Sequence, residues 1–196
     1  MTKVASDKEE KYHMSKAYIV LAALAVLGTT GDAVAAGKLK CFSGEPATCS
    51  ISQNTVTLDT SEGGFAGAFI TNARSLSGTL LSGVTFSFQY NCDPSDNTTD
   101  CVGGGSPRWS IPINTGGNSK AEGFAFIDAA NCGSTGIVST ESDTCPVFFG
   151  SETYDNWADF ASENPTYRIA SELPFVITDT TEPGTTLIFD ITIAKA

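Results

Sequence analysis

The chain has 196 residues, of which 41% are hydrophobic and 17% charged, so it is long and apolar enough to bury the core of one domain. Acidic residues outnumber basic residues by 22 to 11, and the net charge is −11. Nucleic acids and anionic membrane surfaces both attract positive charge. This balance therefore argues against either of them as a partner.

An apolar segment near the N-terminus predicts a secretory signal peptide. Residues 17–28 carry no charge, Lys16 precedes them, and the alanine-rich segment 32–36 follows. This is the order of regions in a signal peptide, with cleavage expected after Ala35 or Ala36. A membrane-spanning helix needs about 20 apolar residues, so the shorter run favours a cleaved leader over an anchor.

We therefore expect residues 1–36 to be the leader, with Met14 as an alternative start of translation. Residues 37–196 then form a single secreted domain without a membrane span. The only histidine of the chain, His13, lies in the leader. A mature chain without histidine excludes Ser-His-Asp hydrolases, HExxH proteases and most histidine-ligated redox metals.

All six cysteines follow the predicted leader. An even number of cysteines in an exported chain predicts three disulfides, although sequence alone leaves their pairing open. Each sequential pair encloses a segment rich in Gly, Pro, Ser or Asp, as a cross-linked loop does. We therefore favour the pairs Cys41–Cys49, Cys92–Cys101 and Cys132–Cys145.

Short strands separated by turn residues are predicted along most of the mature chain. Apolar and polar residues alternate in several of them, which is typical of a half-buried strand. Eight or nine such strands predict an all-β fold, a β-sandwich or jelly roll cross-linked by disulfides. The predicted strands are residues 55–59, 65–71, 84–90, 108–114, 123–128, 146–149, 167–170, 175–178 and 185–193.

One segment, residues 153–164, has helical spacing instead. Tyr154, Trp157, Ala158 and Ala161 fall at positions i, i+3, i+4 and i+7, which places them on one face of a helix. The sequence predicts one short helix packed against the sandwich.

The segment between Cys92 and Cys101 carries three aspartates, Asp93, Asp96 and Asp100. Calcium binds six to eight oxygen atoms, and carboxylates on one loop supply several of them. The spacing differs from that of an EF-hand, and an acidic surface loop explains the pattern equally well. Calcium at these aspartates is the one cofactor that the sequence suggests.

Four residues are candidates for binding a ligand outside the cell. Tyr154 and Tyr167 lie near the predicted helix, and a tyrosine at a surface offers an apolar ring with a polar tip, which suits a sugar. Arg108 and Arg168 are candidates for an anionic group, with ion pairs to the many carboxylates as the alternative role.

These features favour a secreted, non-catalytic binding module or cell-surface protein whose ligand is a glycan or a protein. One alternative is a structural subunit that assembles outside the cell by exchanging the strand 185–193. Against such assembly, Pro112 suggests that the strand 108–114 is a protected sheet edge. A second alternative is a glycoside hydrolase that uses two carboxylates, with Glu122 and Asp128 as the first pair to consider.

Overall fold

The structure, a computed structural model, describes residues 33–35, 38–93, 101–104, 106–116, 118–133, 135–179 and 184–195. Two antiparallel sheets and one α-helix make up this part of the chain, which confirms the predicted all-β sandwich. Each of the nine predicted strands overlaps a strand of the structure. Five further strands raise the number in the described residues to 14.

The smaller sheet has six strands. The strands are β1 (Ala33–Ala35), β3 (Thr48–Ser52), β4 (Thr55–Asp59), β6 (Val84–Cys92), β9 (Ile137–Ser139) and β14 (Thr185–Lys195). Their spatial order is β3-β4-β14-β6-β9. β1 pairs with the second half of β14, on the same side of β14 as β4.

The larger sheet has eight strands. The strands are β2 (Leu39–Gly44), β5 (Phe65–Ile70), β7 (Arg108–Asn114), β8 (Gly123–Asp128), β10 (Val147–Phe149), β11 (Glu152–Tyr154), β12 (Arg168–Ile169) and β13 (Phe175–Thr178). Their spatial order is β11-β10-β8-β7-β13-β5-β2, and β12 pairs with the C-terminal end of β7.

The core lies between the two sheets. Alternate residues of a strand point to opposite faces, so β6 turns Phe86 and Phe88 inward, where both rings contact Trp109 of β7 at centroid distances of 5.4 and 5.7 Å. All three side chains are at most 1% exposed. Burial of each contributes about 1.5–3 kcal/mol to the free energy of unfolding.

The three disulfides form in the sequential pairing predicted above. Each one closes a segment where the chain changes sheets. Cys41–Cys49 joins β2 of the larger sheet to β3 of the smaller one, and Cys92–Cys101 spans the passage from β6 to β7. Cys132–Cys145 encloses β9, a strand of the smaller sheet that lies in the chain between β8 and β10 of the larger sheet.

The helix α1 (Trp157–Glu163) is shorter than the predicted segment 153–164. The residues at the start of that segment belong to β11, which folds back on β10 through a turn at Gly150 with φ of +63°. The side chain of Asn156 then caps the helix by accepting the N–H of Asp159 at 2.9 Å.

The interpretation of 108–114 as an edge strand is wrong, because β7 lies between β8 and β13. On one side of β7, β13 pairs with its first half and β12 with its last two residues. Pro112 lies between these two pairings, and its carbonyl accepts the N–H of Ala170 on that side at 2.9 Å. A strand residue directs its N–H and C=O to the same side. Proline, which lacks an N–H, therefore sits where the ladder is already interrupted.

The strand β14, suggested above for exchange between subunits, is the centre of the smaller sheet, with β6 on one side and β4 and β1 on the other. Residues 33–35 of the predicted leader form β1 and pair with β14, whereas residues 1–32 and 36 lie outside the described residues. Cleavage after Ala35 or Ala36 would remove β1, and removal of the leader stays a prediction. Within the part of the chain that the structure describes, no helix is long and apolar enough to cross a membrane.

Candidate functional site

Seven of the 12 phenylalanines lie on the outer surface of the larger sheet, which we call the phenylalanine face. Inward positions of this sheet hold Trp109 and its neighbours, so the alternate positions point away from the core. Phe65 is 43% exposed, and the other six rings are half-buried. The members are Phe42, Phe65, Phe69, Phe124, Phe126, Phe148 and Phe175.

The strand registers align four of these rings in one row across the sheet. Phe148 pairs with Phe126, and Phe175 pairs with Phe69, with Ser110 of β7 between the two pairs. Because neighbouring strands are about 4.8 Å apart, four such steps extend about 19 Å. Ser110 is fully buried on this face, which shows how closely the rings cover the backbone.

The rings at the β2 end of the face also contact one another. The Phe42 ring lies 4.5 Å from that of Phe69 and 5.5 Å from that of Phe175. Gly67 makes this possible, because a Cβ there would lie 2.4 Å from the Phe42 ring and 2.5 Å from a backbone oxygen. The three rings therefore pack closely together at this end of the face.

At the other end of the row, a cavity of about 260 Å³ is lined by Arg108, Phe126, Asp128, Asn131 and Phe148. We call it the Arg108 pocket. The carboxylate of Asp128, which is 4% exposed, accepts the side-chain amide of Asn131 at 2.8 and 3.0 Å and its backbone N–H at 2.9 Å. The guanidinium carbon of Arg108 lies 5.1 Å from the centre of the Phe126 ring. Polar groups and aromatic rings therefore meet in one small cavity.

Arg108 is held by Asp179, at the end of β13. Its two terminal nitrogens donate to the two carboxylate oxygens, with Nη2 at 2.6 Å from Oδ2. Partial burial acts to raise the pKa of Asp179, but the hydrogen bonds from Arg108 and Ser106 and the charge of Arg108 outweigh it and lower that pKa. Asp179 thus stays ionised and neutralises Arg108, so the pocket carries little net positive charge.

This ion pair predicts a pH dependence of stability. The folded pKa of Asp179 is below its ordinary value of 3.8, so the stabilisation is present above that value and is lost as the pH falls through the folded pKa. Since both groups are partly exposed, we expect Asp179→Asn to cost about 1 kcal/mol or less near neutral pH. Thermal melting of both proteins should show the difference disappear in acid. The control is Glu141→Gln at an exposed site, which should leave the pH dependence of the melting temperature in acid unchanged. A difference between Asp179→Asn and the unmodified protein that persists in acid would contradict the role given to the ion pair.

The two candidate tyrosines pack around helix α1. The Phe160 ring lies 4.8 Å from that of Tyr154 and 6.2 Å from that of Tyr167. The Tyr154 hydroxyl also accepts the side-chain amide of Asn164 at 3.3 Å. The structure thus gives both tyrosines a packing role, and a ligand role for them stays a prediction.

The two candidate arginines lie at opposite ends of β7. Arg108 begins this strand, whereas Arg168 pairs with Asn114 at its end. The separation is about 20 Å for six residues of strand. The arginines therefore do not form one anion site, and Arg168 belongs to a different surface.

Of the three candidate calcium ligands, only Asp93 is among the described residues, and its backbone N–H donates to the Thr185 carbonyl at 2.9 Å. Asp96 and Asp100 lie outside them. The described residues contain no cluster of three or more His, Cys, Asp or Glu arranged to hold a metal. Calcium at this loop stays a prediction.

The candidate hydrolase pair does not converge. Glu122 precedes β8 and Asp128 is its last residue, so the two are six residues apart in extended chain, which corresponds to about 20 Å. Two carboxylates that hydrolyse a glycosidic bond lie about 5–9.5 Å apart. Glu122 instead accepts the backbone N–H of Thr115 at 3.1 Å and stabilises the turn between β7 and β8.

The phenylalanine face was not found from the sequence. One signal was present, because Phe65 and Phe69, like Phe124 and Phe126, are spaced so that both members of a pair share a face. Which face of a strand is buried depends on the sheet that packs against it, and which rings become neighbours depends on the order of the strands in the sheet. Neither can be derived from the sequence of one segment.

No protein-family model matches the sequence, and no curated protein matches it. Solved structures similar to the fold include the receptor binding domain of a botulinum neurotoxin C/D mosaic serotype, with a TM-score of 0.32 and 10% identity. Another is the botulinum neurotoxin serotype D binding domain, with a TM-score of 0.25 and 11% identity. In both cases 80% of this chain aligns with 43% of the other, so the chain spans less than half of either match. Likeness at this level carries no property of those domains over to this protein.

Proposed function

We propose that this chain is an extracellular binding module that holds a neutral glycan along the phenylalanine face. The observation that carries the proposal is the continuity between the row of rings and the Arg108 pocket, which share Phe126 and Phe148. The rings offer apolar surface to the faces of sugar rings, and Asp128 and Asn131 offer hydrogen bonds to hydroxyl groups. Three disulfides suit an oxidising compartment outside the cytosol.

Charge and shape define the kind of glycan. A protein with a net charge of −11 repels polyanionic chains, and Asp179 neutralises the arginine at the pocket. A row of low rings about 19 Å long suits an extended, flat chain better than a coiled one. Neutral β-1,4-linked oligosaccharides meet both conditions.

The test is calorimetric titration with cellohexaose, xylohexaose and mannohexaose. We expect at least one of them to bind and Phe126→Ala to weaken that binding about tenfold, equivalent to about 1.4 kcal/mol. The matched control is Phe189→Ala, because Phe189 pairs with Gln89 and is a half-buried phenylalanine on the outer surface of the smaller sheet. That variant should bind as the unmodified protein does.

Three outcomes would overturn the proposal. The first is no binding of any of the three probes, and the second is equal weakening by both variants. The third is self-association in light scattering that Phe126→Ala abolishes, since the phenylalanine face would then be an assembly surface.

A further inference from the structure

A second surface lies where helix α1 meets the 3₁₀ turn Leu81–Gly83. A cavity of about 560 Å³ opens there, within the range of about 300–1,000 Å³ that small-molecule sites occupy. Its lining is mainly apolar and includes Leu81, Val84, Trp157, Ala161 and Pro165.

A smaller cavity of about 420 Å³ adjoins it, and both are lined by Leu80 and Ser82. The smaller cavity also has charged and hydroxyl side chains in its lining. Arg168 and Lys195 supply two positive charges, and Ser82 contributes one of several hydroxyl groups. The two cavities form one groove with an apolar end and a basic end.

The basic end is unusual in so acidic a chain. Two of the chain's 11 basic residues line it, and no acidic side chain does. Among the described residues, neither Arg168 nor Lys195 has a carboxylate within ion-pair distance. The guanidinium of Arg168 is oriented by a hydrogen bond from Nη1 to the Gly78 carbonyl at 2.8 Å. Within the described part of the chain, the guanidinium of Arg168 is thus anchored at the basic end with no carboxylate in ion-pair distance.

We infer that this groove binds an amphiphilic carboxylate, with its carboxylate between Arg168 and Lys195 and its alkyl chain in the apolar cavity. Arginine and lysine form charge-assisted hydrogen bonds with carboxylates. The alkyl chain would lie against Trp157 and Leu81 and gain the free energy of apolar burial. This site is separate from the phenylalanine face and does not depend on the proposed glycan function.

Trp157 gives the groove its own reporter. It lines the apolar cavity, and its indole N–H donates to the Leu81 carbonyl at 3.1 Å. The other tryptophan, Trp109, is fully buried between the sheets. A brominated alkyl chain in the groove should quench part of the tryptophan fluorescence, because it contacts one of the two indoles.

The experiment compares dodecanoate with dodecyltrimethylammonium and dodecyl maltoside, each below its micelle concentration, by calorimetry and by quenching with 12-bromododecanoate. We expect dodecanoate to bind at least tenfold more tightly than the other two probes. The double variant Arg168→Gln/Lys195→Gln should weaken it at least tenfold. Lys120→Gln, which removes an exposed charge outside the groove, should leave it unchanged.

A second variant tests the apolar end. Ala158 is an exposed helix residue that lines the larger cavity, so Ala158→Phe should fill the cavity and weaken dodecanoate binding without loss of the fold. Equal binding of the three probes, equal binding by the double variant and Lys120→Gln, or no effect of Ala158→Phe would each overturn the inference. Phe126→Ala should not change dodecanoate binding, so failure of this site and failure of the glycan proposal are distinguishable.

Discussion

Reduction of the three disulfides is expected to unfold the protein at ordinary temperature. Each disulfide contributes about 2–4 kcal/mol through loss of entropy in the unfolded chain. The total stability of a domain of this size is about 5–15 kcal/mol, so loss of all three removes most or all of it. Because each disulfide closes a passage between the sheets, its loss also frees a connection between them.

Urea unfolding with and without a reductant measures this effect. Single pairs can be removed as Cys132→Ala/Cys145→Ala and Cys41→Ala/Cys49→Ala, whose sequence separations are 13 and 8. Loop entropy alone makes the first removal costlier by about half a kcal/mol. Burial of Cys132 and Cys145, at 1% and 2% exposure, acts in the same direction. An unchanged unfolding midpoint after full reduction would contradict the prediction.

Replacement of Phe160 by alanine is expected to lower the free energy of unfolding by about 3–5 kcal/mol. The side chain is fully buried, and its ring contacts those of Phe149, Tyr154, Trp157 and Tyr167. Loss of the ring would weaken the packing of helix α1 against the sandwich. The helix is too short to hold its conformation without these contacts.

The matched control is Phe65→Ala, which removes the same ring from a position that is 43% exposed. We expect that variant to lose about 1 kcal/mol or less. Differential scanning calorimetry of the two variants gives the comparison. Similar losses in both would mean that burial of Phe160 does not stabilise the helix, against the packing described above.

The strands that could be predicted from the sequence are those with one buried face. In β6, residues alternate between buried and half-buried from Val84 to Tyr90, and the sequence alternates with them. By contrast, β9 and β11 have three residues each, which is too short for an alternation of apolar and polar residues to be recognised. These strands are fixed by their partners, β6 and β10.

The start of the helix could not be placed for a similar reason. Tyr154 has helical spacing to Trp157 and Ala158 and does contact the helix, but it does so from β11. Helical spacing indicates which side chains contact one another, but it does not show whether each of them belongs to the helix or to a neighbouring strand. The turn at Gly150, which directs the chain back along β10, was the local signal for a hairpin.

The candidate site could be predicted only in part. Arg108 was singled out from the sequence, and it lines the pocket at the end of the phenylalanine face. The rings of that face come from five different strands, and their row depends on a sheet order that departs from chain order. Periodicity within one segment contains no information about which strands become neighbours.

The central position of β14 has a consequence for biosynthesis. The side chain of Thr60, just after β4, donates to the Gly184 carbonyl, just before β14, across a sequence separation of 124 residues. A ribosome makes the partners β1, β4 and β6 long before it makes β14, so the smaller sheet has no middle until synthesis of residues 185–195 is complete. Contacts of such long range are slow to form. In a nascent chain, the smaller sheet therefore stays divided into separate parts until its last strand has been made, although every strand of the larger sheet is already present.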